Sequence, residues 1–316
     1  MRVAIIGAGF SGCYLASKLT HDGMEVTLFE KSRGVGGRMA TRYVDEHRIN
    51  IGCHELSPIG WEFKQFCETM KRKKLLTSPS HENYSATAIN GLLKSLASTS
   101  EVKTETRIET VRCINGEYDL IDSEGGHYPD FEALFITIPA PQLLDLTFDF
   151  ETDIRKGIEK VTFDSVATMV LYGAKVKEIS THKLATLPNL RKLYQPSDEV
   201  LVIHMDRSFS NVHASLGKEK LATPMAQAIQ TVLPSFELKD FRYFTHLWRY
   251  GFTEQALGSM YRFSPTQQIG IVADWMIGHR VEDAFRSVEA FVNASDYQTL
   301  LQVAQTEQIR KVCVNL

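Results

Sequence analysis

The most constraining stretch of the chain is Gly7-Ala8-Gly9-Phe10-Ser11-Gly12, a GxGxxG run between the apolar Val3-Ala4-Ile5-Ile6 and a segment with helical spacing. An unbroken β-branched run of that kind has the form of a parallel strand buried on both faces. Leu15, Ala16 and Leu19 predict a helix over 11–21, ended by Asp22-Gly23, and 26–29 predicts a second strand closing at Glu30. In that setting each glycine has a task. Gly7 permits the tight turn, Gly9 lets a pyrophosphate approach the backbone, and Gly12 lets helix pack on strand. The helix start at Phe10 and Ser11 offers N–H donors and positive potential, and Glu30 is placed to accept the ribose hydroxyls of an adenosine. The alternative is a glycine-rich turn that holds nothing.

Arg38 follows eight positions after Glu30, within Lys31-Ser32-Arg33-Gly34-Val35-Gly36-Gly37-Arg38-Met39-Ala40-Thr41-Arg42. Lys31, Gly36, Gly37, Arg38 and Met39 supply backbone donors, glycine freedom and a guanidinium with which to wrap the second half of a pyrophosphate. Rossmann units that take NAD lack this extension, so the expected cofactor is FAD. It is expected to be non-covalent, since no cysteine or histidine stands in a recognisable flavin-attachment motif.

E-K-x-x-x-x-G-G-R after GxGxxG resembles the signature of the FAD family that contains the amine oxidases, and S-R-G-V-G-G-R-M-A-T-R resembles its renalase-like branch. Three later segments resemble that branch in matching order: Ile138-Pro139-Ala140-Pro141-Gln142, His246-Leu247-Trp248-Arg249-Tyr250, and Ala273-Asp274 followed by Val281-Glu282-Asp283-Ala284-Phe285. The resemblance implies an α/β fold with two domains like p-hydroxybenzoate hydroxylase: a discontinuous Rossmann-type FAD-binding domain and an α+β substrate domain. It also implies oxidation of aberrant dihydronicotinamide isomers, with O2 reoxidising the flavin. On this reading Asp274 accepts a ribityl hydroxyl and the helix from Val281 points its positive end at the flavin N1–C2=O locus. Pro139 either touches the cofactor or simply ends a strand. The chain departs from the pattern where Asn50-Ile51-Gly52-Cys53-His54 replaces D-x-G-A-Q, where Ala273 replaces a glycine, and where the K-P-G-R block is missing.

At 316 residues two lobes around one cofactor are expected. The FAD-binding domain is drawn as 1–58, 84–150 and 268–316, and the substrate domain as 59–83 and 151–267. Helices are expected over 61–76, 88–97, 225–233 and 281–292, and strands over 101–111, 118–122, 133–138, 165–172, 199–205, 241–248 and 270–273. In the substrate pocket the residues singled out are His54, His246, Trp248 and Tyr250. A structural role is the competing reading for His54 beside Cys53, and core packing competes for the aromatics, Tyr261 and Phe263 among them. The Lys71 to Lys74 run is read as a solvated face.

A net charge of −3 gives no field to gather nucleic acid or an anionic membrane, and the partner expected is a small molecule. The five scattered cysteines contain no CxxC, which fits reduced thiols in a cytoplasm. No leader segment is visible before Val3, and no stretch is long enough to span a bilayer. A single dinucleotide fingerprint and no CxxxxC pair set the chain apart from the two-nucleotide disulfide reductases. Hydride loss from a dihydropyridine creates an aromatic cation directly, so no general base is needed and none is evident. A flavin amine oxidase, a monooxygenase, or a flavin-binding protein without turnover stay open as alternatives.

Overall fold

The computed structural model describes residues 1–80, 82–148 and 152–314, with the side chains of 152–153 and 307–314 left aside. The expected domain boundary at 150/151 and the Cys313 side chain lie outside what is described. Two compact units emerge, one of Met1–Ala40, Cys53–Thr162 and Gln255–Leu316, the other of Thr41–Gly52 and Phe163–Glu254.

The first unit opens with β1 (Arg2–Ile6), α1 (Phe10–His21) and β2 (Glu25–Phe29). Later come α2 (Trp61–Arg72), β3 (Ala133–Ile136), β4 (Ile269–Ile271) and α3 (Val281–Val292). Its six-stranded sheet runs, from one edge, Arg262–Ser264, β4, β3, β1, β2, Glu101–Lys103. Every neighbour pair is parallel except the first. Val3 and Ile5 of β1 and Leu28 of β2 are fully buried, as strands covered on both faces should be. On one face α1, α2 and α3 meet through aromatics: Tyr14 stacks on Phe285 at 5.2 Å, and Phe10 meets Phe66 edge-on at 5.8 Å. This parallel sheet with helices, beside a second unit built on an antiparallel sheet, is the expected fold class.

Several expectations need correction. Residues 59–83, drawn in the substrate domain, belong to the first unit, because Phe63, Phe66, Cys67 and Met70 of α2 pack into its core. Residues 41–52, drawn in the FAD-binding domain, belong to the second unit, and the last crossing falls at 255 and not 268. The strand expected over 101–111 is two strands in different sheets: Glu101–Lys103 on β2, then Ile108–Ile114 in a three-stranded antiparallel sheet. Glu105 breaks it with φ 55°, turning its own N–H onto Ser32 O and that of Thr106 onto Glu30 O, both 2.9 Å. Helix α2 stops at Arg72, four residues early, where Lys74 has φ 60°.

The second unit has a four-stranded sheet ordered Leu190–Ser197, Val200–Met205, Thr162–Tyr172, Arg242–Gln255. Ala167, Met169, Leu171, Leu201, Ile203 and Met205 line one face and pack with Met225 and Ile229 of helix Ala222–Gln230. Alternation puts Thr168, Val170 and His204 on the other face. There the unpredicted hairpin of Thr41–Val44 and His47–Asn50 is tied in: His204 Nε2 donates to Ile51 O at 3.0 Å, and Arg242 pairs with Asp45 at 2.5 Å. The strand expected over 241–248 runs on to Gln255.

Candidate functional site: a paired glycine-loop cradle

Gly7 leaves β1 with φ 106°, and a Cβ there would meet Ile138 and Thr137 side-chain atoms at 2.8 Å, so only glycine makes this turn. Gly12 is as constrained, since its Cβ would stand 2.0 Å from Gly7 O. Gly9 is the opposite case: it starts α1 in an extended conformation, and a Cβ on it would meet nothing within 4 Å. The space that Gly9 leaves open faces away from the protein's own packing. Helix α1 has neither a side-chain cap at its start nor an acidic residue in its first turn. The N–H groups of its first turn thus lack helical partners and are open to an anion. The Phe10 and Ser11 residues are buried, and the Phe10 ring serves the aromatic core, leaving its backbone for any ligand.

The second glycine loop is laid directly on the first. Gly36 N donates to Ala8 O at 2.9 Å with φ 146°, and a Cβ on Gly37 would come 3.3 Å from Gly9 Cα. Glu30 is the clasp: buried, it accepts from Ala8 N at 3.0 Å and Ser32 N at 2.8 Å, one carboxylate oxygen for each loop. Each of those oxygens keeps a lone pair for a ribose hydroxyl. Lys31 reaches Gln142 at 3.0 Å, and Met39 is buried in the core. Pro139 lies three residues beyond the end of β3 and is the N-cap residue of the short helix Ala140–Leu144.

Arg38 donates from Nη2 to Asp274 Oδ1 at 2.6 Å, while its Nη1 is buried without a hydrogen-bond partner among the described residues. A guanidinium nitrogen in that state fits an oxyanion, because burying a donor unpaired is costly. Asp274 sits at 5 % exposure on the turn after β4. Val281 begins α3, whose Asp283 caps the backbone N–H of Arg280 at 2.9 Å, and whose Glu282 caps Ile59 N and Gly60 N at the start of α2. Thr137, not singled out from the sequence, donates its backbone N–H to Ile6 O at 3.0 Å and its hydroxyl to Gly7 O at 2.9 Å and so fixes the first turn. A threonine closing a buried strand beside a glycine loop is the signal that marked it.

The residues proposed for a substrate pocket fall on separate units. His54 is buried in the first, next to Cys53, whose N–H donates to Arg38 O at 2.8 Å. His246, Trp248 and Tyr250 lie in the second, on strand Arg242–Gln255. His246 and Trp248 rings meet edge-on at 4.2 Å, Trp248 Nε1 donates to the buried Thr168 Oγ1 at 3.1 Å, and Tyr250 meets Phe163 edge-on at 5.5 Å. Burial, with Arg42 and Lys218 nearby, pulls the His246 imidazole down to about 4, so it is neutral at pH 7. Among the described residues one group, Glu46, His47 and Glu199, is spaced to hold a metal; it contains none of the sequence-predicted site residues. No helix among the described residues is long and apolar enough to cross a membrane.

Residues 5–69 match the model of a family described as NAD(P)-binding Rossmann-like domain. The chain is 42% identical over 52 residues to a 4,4'-diapophytoene desaturase (4,4'-diaponeurosporene-forming) of Staphylococcus aureus strain Newman, a match to 16% of this chain and 10% of the desaturase. It thus spans about a tenth of that relative's length. In fold it is similar to a candidate protoporphyrinogen oxidase from Exiguobacterium sp. 255-15, with a TM-score of 0.67 at 13% identity over 94% of this chain and 99% of that one. It is also similar to an oxidoreductase from Methanosarcina mazei, with a TM-score of 0.60 at 11% identity over 93% of this chain and all of that one.

Proposed function

We propose that this chain is an FAD-dependent oxidoreductase that holds its cofactor non-covalently on the first unit. The observation that carries the reading is the cradle itself: two glycine loops stitched together around an open Gly9, an uncapped helix start, and a buried Arg38 Nη1 facing no partner among the described residues. A Rossmann unit for NAD uses the first loop alone, whereas here the second loop brings the unpartnered Arg38 Nη1 as a further donor for a diphosphate. The desaturase and oxidase relatives support the same redox class. Gly9, Phe10, Ser11 and Gly12 would give backbone donors to the diphosphate, Arg38 its charge, Glu30 the clasp for an adenosine ribose, and Asp274 an acceptor for a ribityl hydroxyl. When bound, the flavin supplies a hydride acceptor at N5; the chain's part is to bind, orient and keep water away.

The finer reading takes the substrate as a small flat donor of the dihydronicotinamide-isomer kind, in the manner of renalase-like enzymes, with O2 as the final oxidant. It rests on the sequence resemblance and on the lack of any need for a base. The test of the cofactor is direct: the purified protein is expected to be yellow and to release FAD, not FMN, completely on denaturation. A colourless protein that FAD cannot reconstitute ends the proposal.

A further inference from the structure

Two tight turns meet within the second unit, and each carries an Asp-Glu pair. Val44 pairs with His47 in the hairpin of Thr41–Val44 and His47–Asn50, which leaves Asp45-Glu46 as a two-residue turn. Ser197 pairs with Val200, so Asp198-Glu199 turns the chain in the same way between Leu190–Ser197 and Val200–Met205. Glycine is the ordinary choice for the second place of such a turn. Here both turns carry glutamate there, and both side chains converge on His47. Its Nε2 lies 4.0 Å from Glu46 Oε1 and 3.9 Å from Glu199 Oε2, and one ligand atom from each of the three residues falls within 4.8 Å of the others. Both contacts are too long for hydrogen bonds. The imidazole is mostly shielded, with 14% of its side chain exposed, and its ring meets Tyr172 edge-on at 6.3 Å. Glu199 is held through its backbone, its carbonyl accepting from Gly173 N at 2.9 Å. Neither glutamate pairs with a lysine or arginine among the described residues. Arg242 beside them is committed to Asp45 at 2.5 Å and lies over the Tyr172 ring, whereas Glu254 of the same unit has Arg207 at 2.6 Å. Two carboxylates aimed at one nitrogen repel each other, and a cation among the three groups turns that repulsion into attraction.

We infer that Glu46, His47 and Glu199 bind a divalent first-row transition ion of the zinc class, which ties the tip of the hairpin to the turn at 198–199. One imidazole nitrogen and two carboxylates, without sulfur, form a donor set for zinc and its neighbours, whereas calcium and magnesium take oxygen ligands. Bonds of about 2.0–2.1 Å to a tetrahedral ion put ligand atoms roughly 3.4 Å apart, so the spacing has to close by about 0.5 Å on binding. Exposed glutamate side chains rotate that far at little cost. Water completes the coordination. The hairpin is already seated by Asp45 on Arg242 and by Ile51 O on His204, and the ion adds a third tie at its end. Its role is to fix the second unit's own structure, and it does not depend on which cofactor or substrate the chain takes.

The experiment takes the full chain, stripped with EDTA, and titrates it calorimetrically with ZnCl2 and with MgCl2. Saturable binding of one Zn2+ per chain is expected, at least about tenfold tighter than that of Mg2+. His47→Gln, Glu46→Gln and Glu199→Gln should each weaken it by about 10–100-fold or more. His127→Gln, which removes an exposed imidazole paired with the single carboxylate of Asp119 at 3.1 Å, should leave it unchanged. Because the ion binds only the folded turns, Zn2+ should raise the urea midpoint of the wild type and EDTA should reverse the rise, with no such shift in His47→Gln. Amide hydrogen exchange over 41–50 should slow when Zn2+ is added. The Glu46 side chain is 79% exposed, so Glu46→Gln leaves the packing alone and decides the matter even where His47→Gln unfolds. Lack of saturable Zn2+ binding overturns the inference and leaves His47 in an ordinary ion pair. Binding that survives all three substitutions, or that is lost in Cys113→Ser, places the ion elsewhere and overturns it as well.

Discussion

Arg38 and Asp274 stand 236 positions apart and share a hydrogen bond of 2.6 Å, so one side chain from the second glycine loop is aimed by a carboxylate from the far end of the sheet. Arg38→Ala is expected to weaken FAD by about 1.5–3 kcal/mol, read by titration of flavin fluorescence. Asp274→Ala should also lower the stability of the flavin-free protein, by about 1–2 kcal/mol, less than for a fully buried pair because Arg38 is 30% exposed. Unchanged affinity in Arg38→Ala would remove Arg38 from the cradle.

The glycines separate fold from binding. Gly12→Ala drives a methyl group to 2.0 Å from Gly7 O and should cost about 1–3 kcal/mol or more of stability with or without flavin. Gly9→Ala meets no protein atom, so the flavin-free protein should melt close to the wild type while FAD affinity falls sharply. Gly9→Val should abolish binding. Thermal melts paired with FAD titrations decide; equal melting losses at both positions would contradict the open space at Gly9.

The pH response of the second unit is expected to follow His204 and, in the same window, His246, whose imidazole is held equally low. Burial holds the His204 imidazole down to about 4, against 6.5 for an exposed histidine, despite the bond to Ile51 O; Lys192 and Arg191 add to the effect. The unfolded chain therefore takes up a proton first as pH falls. Stability is full above about pH 6.5 and lost progressively down to pH 4, by about 3 kcal/mol at most from this one residue. Urea unfolding at pH 7 and pH 4.5 should show the drop in the wild type and a smaller one in His204→Gln, which keeps an N–H donor. An identical pH slope in the two would locate the effect elsewhere.

Without oxygen, dihydronicotinamide isomers other than the normal 4-dihydro β form are expected to bleach the flavin quickly, and air should then restore it with peroxide formed. Simple amines should do neither. Stopped-flow absorbance reads both. Glu30→Ala, saturated with FAD, should reduce at nearly the wild-type rate if Glu30 holds the adenosine end as proposed; fast bleaching by an amine alone would reverse the ranking of substrates.

What was legible in the sequence is what local chemistry decides. The β1-α1-β2 order, the span of α3 and the roles of Gly7 and Gly12 follow from periodicity and from the steric needs of one loop, all within a few residues of the motif. Unit membership was not legible. Nothing in Phe63, Phe66 and Met70 says which core their stripe will meet, and the hairpin at 41–50 reads as weakly periodic because only Thr41, Ile49 and Asn50 of its strand residues are buried. Its allegiance is decided by Asp45 and Ile51 finding Arg242 and His204 across the sequence. The break at Glu105 was equally hidden: a left-handed glutamate inside the β-branched alternation of Val102, Thr104, Thr106 and Ile108 gives no warning without the loops it serves.

The crossing of the chain into the second unit and back has a consequence in time. Ile51 leaves the ribosome 153 residues before the His204 that will anchor it, which at about 5–20 residues per second is a wait of roughly 8–30 s. For that interval the 41–50 hairpin has no sheet to join. Two strands of four residues each, with Arg42 and Arg48 projecting from them, make a poor template for a stray partner, and that brevity and charge guard the nascent chain until its own strands arrive.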